Sequence, residues 1–109
     1  MSSLNCPEEV HLSKKLLEIN THFKKIRFTR SGGEANSIAI RIARAASGKD
    51  NIAFNGYHGW HDWYLASNLS SKNNLNKHLL NNLQIKGVPK KLKDTVFPFE
   101  MNSFEKLKK

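Results

Sequence analysis

A turn of one serine and two glycines, Ser31-Gly32-Gly33, offers the first possible chemistry in this chain of 109 residues, which is the binding of an anion. Helical periodicity begins directly after the turn, at Glu34, so we expect the turn to stand at a helix N-terminus. The first N–H groups of a helix have no partner inside it, and together with the helix dipole they bind anions, phosphate above all. The same residues could instead only cap the helix and turn the chain, with Ser31 as the cap.

A second group, Tyr57-His58-Gly59, directly follows a short apolar run that predicts a strand. Ligands of open α/β sheets bind at the ends of strands where such residues stand. The ring of Tyr57 could stack on a planar cofactor there. The alternatives are structural: Tyr57 as a half-buried packing residue and His58 as a hydrogen-bonded histidine. Spacing alone does not choose between these interpretations.

A metal site is the third chemistry to weigh, because His58, His61 and Asp62 are of metal-ligand types and the two histidines are three residues apart. Gly59 argues against a firm helix at this point, and no further ligand set is evident. The single cysteine, Cys6, excludes a zinc site built on paired cysteines. We therefore predict no metal site.

The elements that must position these groups begin with a helix from Pro7 to about Asn20, with proline and two carboxylates in its first turn. Alternating apolar residues predict a strand over Lys25–Thr29 that runs into the glycine turn. A helix from Glu34 follows, with Arg41 and Arg44 on its outer face and Gly48 as its C-terminal stop. Its core-facing stripe is predicted to be Ala35, Ile38, Ala39, Ile42, Ala43 and Ala46.

Asn51–Phe54 reads as a second strand, so strand, turn, helix and strand predict a βαβ-like unit and an α/β fold. A short helix is expected next, around Trp60, Trp63, Tyr64 and Leu65. Residues 67–93 have no clear period and are interpreted as a long loop. Beyond the loop, Thr95–Phe97 is expected to form a strand stopped by Pro98, and a helix begins at Ser103.

The charge balance is basic, with 18 lysines and arginines against 9 carboxylates and a formal net charge of +9. Such a charge favours a polyanion partner, so a small basic nucleic-acid-binding module is the alternative function. The basic residues are spread along the chain, however, rather than gathered on one face with aromatic residues between them. No apolar run nears the roughly 20 residues that cross a bilayer, and residues 1–10 lack a secretory pattern, so we expect a soluble cytoplasmic protein without a membrane partner.

Three stretches carry a family resemblance: Phe28–Ala35, residues 41–45 and Gly56–Gly59. In them the chain resembles the class III pyridoxal-phosphate aminotransferases, most of all the glutamate-1-semialdehyde 2,1-aminomutase-like branch. The resemblance runs from Pro7 to Phe99. It implies the large, cofactor-binding domain of fold type I, here as a single partial domain over residues 1–109 whose incomplete sheet is flanked by helices. Members of this family are several times longer, so we expect the chain to be a fragment.

The resemblance also assigns the cofactor-binding residues. In the family, a turn of serine, glycine and a small residue before Glu-Ala cradles the phosphate of pyridoxal 5′-phosphate, which implies this task for Ser31, Gly32 and Gly33 and a supporting role for Glu34. Many members carry threonine, alanine or serine where Gly33 stands, so a side-chain contact is expected to be missing here while the backbone N–H remains.

The family tyrosine before His-Gly stacks on the pyridine ring, which by resemblance makes Tyr57 the ring-stacking residue and His58 a neighbour that shapes the pocket. The Schiff-base lysine and the aspartate at the pyridine nitrogen belong to motifs downstream of the matched region, and no lysine or aspartate of this chain stands in them. We therefore expect no catalytic residue and no turnover from these residues alone.

The complete enzyme is expected to be a homodimer that moves an amino group from a small-molecule donor to a carbonyl acceptor. Whether it is a transaminase or an aminomutase stays open. A further interpretation, compatible with this one, is a remnant that folds only with a missing partner segment and that leaves the alanine and isoleucine stripe exposed.

Overall fold

The computed structural model describes residues 5–108. Residues 1–4 and Lys109 lie outside the described residues. The prediction of one domain over 1–109 and the prediction for residues 1–10 therefore fall partly outside them. The chain forms two compact units, the first ending at Ser31 and the second beginning at Gly32. The candidate site residues from Gly32 onward all belong to the second unit.

One helix, α1 (Pro7–Ile19), dominates the first unit and confirms the predicted helix. Proline needs no N–H partner in the first turn, and Glu8 and Glu9 lie beside the positive end of the helix dipole. Asn20 ends the helix, because its backbone N–H and its side-chain Nδ2 both donate to the carbonyl oxygen of Leu16, at 2.9 and 3.0 Å.

The predicted strand over Lys25–Thr29 is wrong, because these residues are irregular and belong to no sheet. A strand exists only where another segment completes its hydrogen-bond ladder, and among the described residues no segment pairs with this one. The βαβ-like unit that we expected to begin with this strand is therefore not formed as predicted.

The second helix, α2 (Gly32–Ser47), begins in the glycine turn itself, two residues before the predicted start. It ends as predicted at Gly48, whose φ of +66° suits glycine and whose N–H donates to the carbonyl oxygen of Arg44 at 2.9 Å. The two glycines of the Ser31-Gly32-Gly33 turn are thus the first two residues of a 16-residue helix.

The face that α2 buries differs from the predicted one. Ile40 is the α2 residue that packs against the core, while Arg44, predicted to lie outside, is half-buried and donates from Nε to the carbonyl oxygen of Asp50 at 2.7 Å. Ile42 is 60% exposed. The other exposed members of the predicted stripe are Ala35, Ala39, Ala43 and Ala46. Periodicity marks an apolar face, but only a packing partner can cover it.

Two short parallel strands, β1 (Ile52–Phe54) and β2 (Val96–Pro98), form the sheet, with Ile52 opposite Val96 and Phe54 opposite Pro98. Both strands were predicted, although Pro98 is the last residue of β2 rather than the stop after it. The N–H of Phe99 donates to the carbonyl oxygen of Phe54 at 2.9 Å and extends the pairing by one step. Parallel strands joined by a helical crossover give the expected α/β class, as part of a larger domain of that kind.

The crossover between the strands carries the core of the second unit. It contains two helices, α3 (Asp62–Leu65) and α4 (Ser67–Ser70), and a single 3-10 turn over Lys90–Leu92. The buried apolar cluster consists of Phe54, Trp63, Tyr64, Ala66, Leu75, Val88 and Val96. The interpretation of 67–93 as one long loop is therefore only partly right. The last helix, α5 (Phe104–Leu107), follows Ser103 as predicted.

Asn68 explains why the asparagine-rich segment is ordered. Its side chain is 2% exposed, its Oδ1 accepts the N–H of Leu75 at 3.1 Å, and its Nδ2 donates to the carbonyl oxygen of Leu83 at 3.2 Å. Asn74 adds a bond from Nδ2 to the carbonyl oxygen of Ser67 at 2.7 Å. Side-chain amides here supply the hydrogen-bond partners of backbone N–H and C=O groups that other backbone groups would supply in a helix or a sheet.

Across the described residues, no helix combines the length and the apolar character that crossing a membrane requires.

The buried amide of Asn68 gives a stability prediction. Asn68→Ala leaves the N–H of Leu75 and the carbonyl of Leu83 without these partners, and we expect it to lower the free energy of unfolding by about 1–3 kcal/mol. Urea unfolding followed by tryptophan fluorescence measures this change. The matched control, Asn51→Ala at an exposed position, should change the unfolding free energy by less than about 0.5 kcal/mol. Equal midpoints for the two variants would contradict the role given to Asn68.

Candidate functional site

The first turn of α2 is the first part of the candidate site. Gly32 and Gly33 are its first two residues, and Glu34 is the acidic residue of that turn. The N–H groups of a first helical turn have no carbonyl partner within the helix, and N–H groups at such a position are known to bind anions. Ser31, the last residue of the first unit, has its carbonyl oxygen bonded by Oγ1 of Thr29 at 3.1 Å.

The loop after β1 folds directly onto this turn. A Cβ at position 33 would stand 2.6 Å from Nδ1 of His61 and closer still to Cε1, so no residue with a side chain fits there unless His61 moves. Gly59, with a φ of +98°, faces the same spot, since a Cβ on it would lie 3.8 Å from Cα of Gly33. The absence of a side chain at Gly33 thus allows the loop that carries the second motif to pack against the first motif.

Tyr57 lies on this loop with part of its ring open to solvent, 36% exposed. The ring meets that of Tyr64 edge to face, with centroids 5.7 Å apart and an interplanar angle of 83°. A partly exposed aromatic ring can stack on a planar ligand.

His58 is held by the loop rather than free to react. Its Nε2 lies 2.7 Å from the carbonyl oxygen of Asn55, and because a carbonyl only accepts, Nε2 carries the proton. The imidazole also meets the ring of Phe54 edge to face at 6.0 Å. These contacts fix the conformation of the residues on either side of Tyr57.

A cavity of about 530 Å³ opens beside Tyr57 at the carboxyl ends of both strands. Asn55 follows β1 and Phe99 follows β2, and Nδ2 of Asn55 donates to the carbonyl oxygen of Phe99 at 2.8 Å. His78 also lines the cavity, and an ion pair between Lys77 and Glu100 lies on its wall. Sequence reasoning missed Asn55, Lys77, His78 and Glu100, because only long-range packing brings residues of an aperiodic segment to a sheet edge.

Tyr64, which is fully buried, pairs with His78, which is half-buried and lines this cavity. The Tyr64 hydroxyl lies 2.9 Å from Nδ1 of His78, and the two rings stack with centroids 6.1 Å apart. Burial, aided by nearby Tyr57, raises the pKa of Tyr64 to about 12, so its hydroxyl stays protonated. Burial, aided by His58 and opposed by Glu100, lowers the pKa of His78, which keeps Nδ1 an acceptor near neutral pH.

Within residues 5–108, no group of three or more histidine, cysteine, aspartate or glutamate side chains is arranged to hold a metal ion. His61 instead stacks on Trp60, with ring centroids 4.9 Å apart.

Comparison with known proteins identifies related enzymes. The chain is 35% identical over 98 residues to a 3-aminobutyryl-CoA aminotransferase of Cloacimonas acidaminovorans. This alignment covers 89% of the chain and 19% of that protein. It is also 36% identical over 105 residues to a glutamate-1-semialdehyde 2,1-aminomutase of Sulfolobus acidocaldarius. That alignment covers 94% of the chain and 24% of the aminomutase. The chain thus spans about a fifth to a quarter of the length of these curated relatives. No family model matches the chain.

A solved structure agrees with these relatives. The fold matches the crystal structure of an omega-transaminase from Sphaerobacter thermophilus with a TM-score of 0.72 and 28% sequence identity, over 98% of this chain and 25% of that one. These matches support the aminotransferase resemblance, and none of them supports the nucleic-acid-binding alternative.

The Tyr64–His78 pair predicts a pH-dependent stability. The pKa of His78 lies below its usual 6.5 in the folded chain, so the unfolded chain binds more protons between the two pKa values. Neutral His78 therefore contributes fully to stability above about pH 6.5. This contribution is lost as pH falls through the folded pKa. Urea midpoints between about pH 8 and about pH 5 should fall less for His78→Gln than for the unmodified chain. His11→Gln, at an exposed site on α1, should keep the original slope. Identical slopes for His78→Gln and the unmodified chain would refute the assignment.

Proposed function

The chain belongs to the class III aminotransferases, which use pyridoxal phosphate, and on that premise we propose that it contributes part of the cofactor site: the phosphate-binding turn Ser31-Gly32-Gly33 with Glu34 beside it, and the ring-stacking Tyr57 with its neighbour His58. The complete enzyme transfers an amino group from a small-molecule donor to a carbonyl acceptor. It acts as a homodimer.

The observation that carries this proposal is the contact between the two motifs. Gly33, in the first turn of α2, lies under the loop that bears Tyr57, His58 and Gly59. A phosphate donor set and an exposed aromatic ring therefore belong to one region of the second unit, beside a cavity at the carboxyl edge of a parallel sheet.

The residues present fit the cofactor in chemistry. The N-terminus of a long helix suits a phosphate dianion through its dipole and its backbone N–H groups, and the two glycines let the phosphate approach the backbone closely. The partly open ring of Tyr57 suits a pyridine face, and the cavity has room beside that ring.

In the mechanism, bound pyridoxal phosphate supplies an aldehyde that takes up the amino group and a ring that accepts electrons. The first turn of α2 binds the phosphate and so fixes the position of the ring. Tyr57 orients the ring plane by stacking. His58 keeps its proton on Nε2 for the carbonyl oxygen of Asn55, which holds the Tyr57 loop in the conformation that stacking needs.

Phosphate recognition can be tested with ligands that lack an aldehyde, so that no lysine reacts with them. We expect pyridoxine 5′-phosphate to bind the chain at least about tenfold more tightly than pyridoxine, because charge-assisted hydrogen bonds to the first turn of α2 are made only by the phosphate. Isothermal titration calorimetry of the 109-residue chain gives both constants. Equal affinities would exclude the proposed phosphate site.

The stacking role of Tyr57 has its own test. Tyr57→Ala should weaken binding of pyridoxine 5′-phosphate about threefold to tenfold, and Tyr57→Phe should preserve it, because stacking needs the ring and not the hydroxyl. Phe104→Ala, which removes another exposed aromatic residue of the second unit, is the matched control and should bind like the unmodified chain. An unaffected Tyr57→Ala variant would rule out stacking by this residue.

Turnover is expected to be absent from these residues by themselves. With pyridoxal phosphate, an amino donor and a keto acceptor, the 109-residue chain should form no more product than the free cofactor does, because no lysine of the chain stands in the Schiff-base motif. Chromatographic measurement of the product amino acid against a protein-free control checks this. Product formation above that control would contradict the assignment of catalysis to residues outside the chain.

A further inference from the structure

The cavity beside Tyr57 has the composition of a small-molecule site. Its volume is about 530 Å³, and much of its wall is apolar, with Leu79, Phe99 and Met101 on it besides the ring of Tyr57. Binding pockets of this kind are mostly apolar and carry a few polar groups that orient the ligand. The proposed cofactor site uses the ring of Tyr57 and gives no function to the half-buried His78 on the same wall.

The hydroxyl of Tyr64 decides which nitrogen of His78 carries the proton. Tyr64 is fully buried, and its hydroxyl lies 2.9 Å from Nδ1 of His78. Burial and nearby Tyr57 raise the pKa of Tyr64 to about 12, so the hydroxyl has a hydrogen to donate. A protonated Nδ1 would leave that buried hydrogen without an acceptor among the described residues, which costs free energy. Nδ1 is therefore the acceptor, and the proton of the neutral ring is on Nε2.

The Nε2–H group of His78 is available to a ligand. Nε2 has no hydrogen-bond partner among the described residues, and it is not one of the side-chain atoms closed off from solvent. The ring itself is held, because Nδ1 is bonded to Tyr64 and the imidazole meets Phe54 edge to face with centroids 5.8 Å apart. A donor that is already oriented loses less entropy when it binds.

The charges around His78 favour an anion as its partner. Lys77 and Glu100 form an ion pair on the cavity wall, so the carboxylate of Glu100 already has a cation beside it. Burial and His58 lower the pKa of His78, and Glu100 opposes them, which leaves a ring that is neutral near pH 7. Such a ring donates more strongly to a charged oxygen than to a neutral one, and it can take up a proton when an anion binds.

Resting on the cofactor site proposed above, we propose that this cavity binds the carboxylate of a small-molecule amino donor or acceptor beside the cofactor ring, with Nε2–H of His78 as the donor that selects it. The apolar wall then receives the carbon chain, so the substrate class is a carboxylic acid with an apolar chain. Tyr57 meets Tyr64 edge to face and His78 stacks on the same ring, so one buried side chain positions both the aromatic face and the donor.

The first test compares pentanoate with its neutral counterpart pentanamide, by nuclear magnetic resonance titration of the 109-residue chain. Pentanoate should bind at least about threefold more tightly than pentanamide near pH 7, because a charged oxygen is the stronger acceptor for Nε2–H. Its affinity should also rise at least about threefold from about pH 8 to about pH 6, since a bound anion favours the imidazolium form of His78. Equal affinities for the two compounds would overturn the inference.

Two variants separate the roles of the two ring nitrogens. In His78→Asn the amide oxygen replaces Nδ1 as acceptor for Tyr64, but no donor stands at the position of Nε2, so pentanoate binding should weaken about threefold to tenfold. In His78→Gln the amide N–H stands at that position, so affinity at about pH 8 should stay within about threefold while the rise toward about pH 6 disappears. A rise that survives in His78→Gln would belong to His58 and contradict the assignment. His11→Asn, at an exposed site, should bind like the unmodified chain.

A measurement on the unmodified chain does not depend on the folding of variants. In nuclear magnetic resonance spectra of the chain labelled with nitrogen-15 in histidine, His78 should show a protonated Nε2 and an unprotonated Nδ1 before any ligand is added. Pentanoate should then shift the Nε2 signal, both alone and with pyridoxine 5′-phosphate already bound. The opposite tautomer, or displacement of pentanoate by pyridoxine 5′-phosphate, would refute the inference.

The same spectra separate this inference from the proposed function. If pyridoxine 5′-phosphate binds more tightly than pyridoxine while pentanoate leaves His78 unchanged, the cofactor proposal stands and the carboxylate site is refuted. If pentanoate shifts Nε2 of His78 but pyridoxine 5′-phosphate binds no better than pyridoxine, the cofactor proposal fails, and the substrate role of the cavity fails with it.

Discussion

The close approach of the Gly56–His61 loop to the first turn of α2 is the contact on which the candidate site depends. It exists because two positions carry no Cβ: Gly33 leaves room for the imidazole of His61, and Gly59 adopts a positive φ as it passes over Gly33. The Ser31-Gly32-Gly33 turn and Tyr57 are far apart in the sequence, and this contact brings the loop that carries Tyr57 against Gly33. A single methyl group at position 33 would interfere with it.

That loop is in turn positioned by the parallel pair of strands and by the aromatic cluster under it. Phe54, at the end of β1, meets the rings of His58, Trp63 and Tyr64 edge to face, which ties the strand end to the loop and to α3. Tyr64 is fully buried and bonded to His78, so the aperiodic segment is anchored to the same cluster. The site therefore inherits its geometry from a core that the crossover supplies.

The chain matches part of longer aminotransferases and aminomutases, and it leaves much of one apolar helix face exposed. Most of the apolar stripe of α2 lies open in the described structure, with Ile42 60% exposed and Ile38 half-buried, whereas a helix of such regular periodicity normally buries that face. The relatives that match this chain are four to five times as long, as the 24% and 19% of their length that it covers imply.

The sequence by itself determined what depends on near neighbours. Pro7 and the carboxylates after it marked the start of α1, Gly48 marked the end of α2, and short β-rich runs marked β1 and β2, because capping, φ preference and periodicity act within a few residues. The motifs around Gly33 and Tyr57 were visible for the same reason. Only the tertiary structure decided which strands pair, which face of α2 is covered and that His61 lies over Gly33. Those outcomes depend on segments distant in sequence, which also explains why 25–29 forms no strand and why Leu75 of the presumed loop lies in the core.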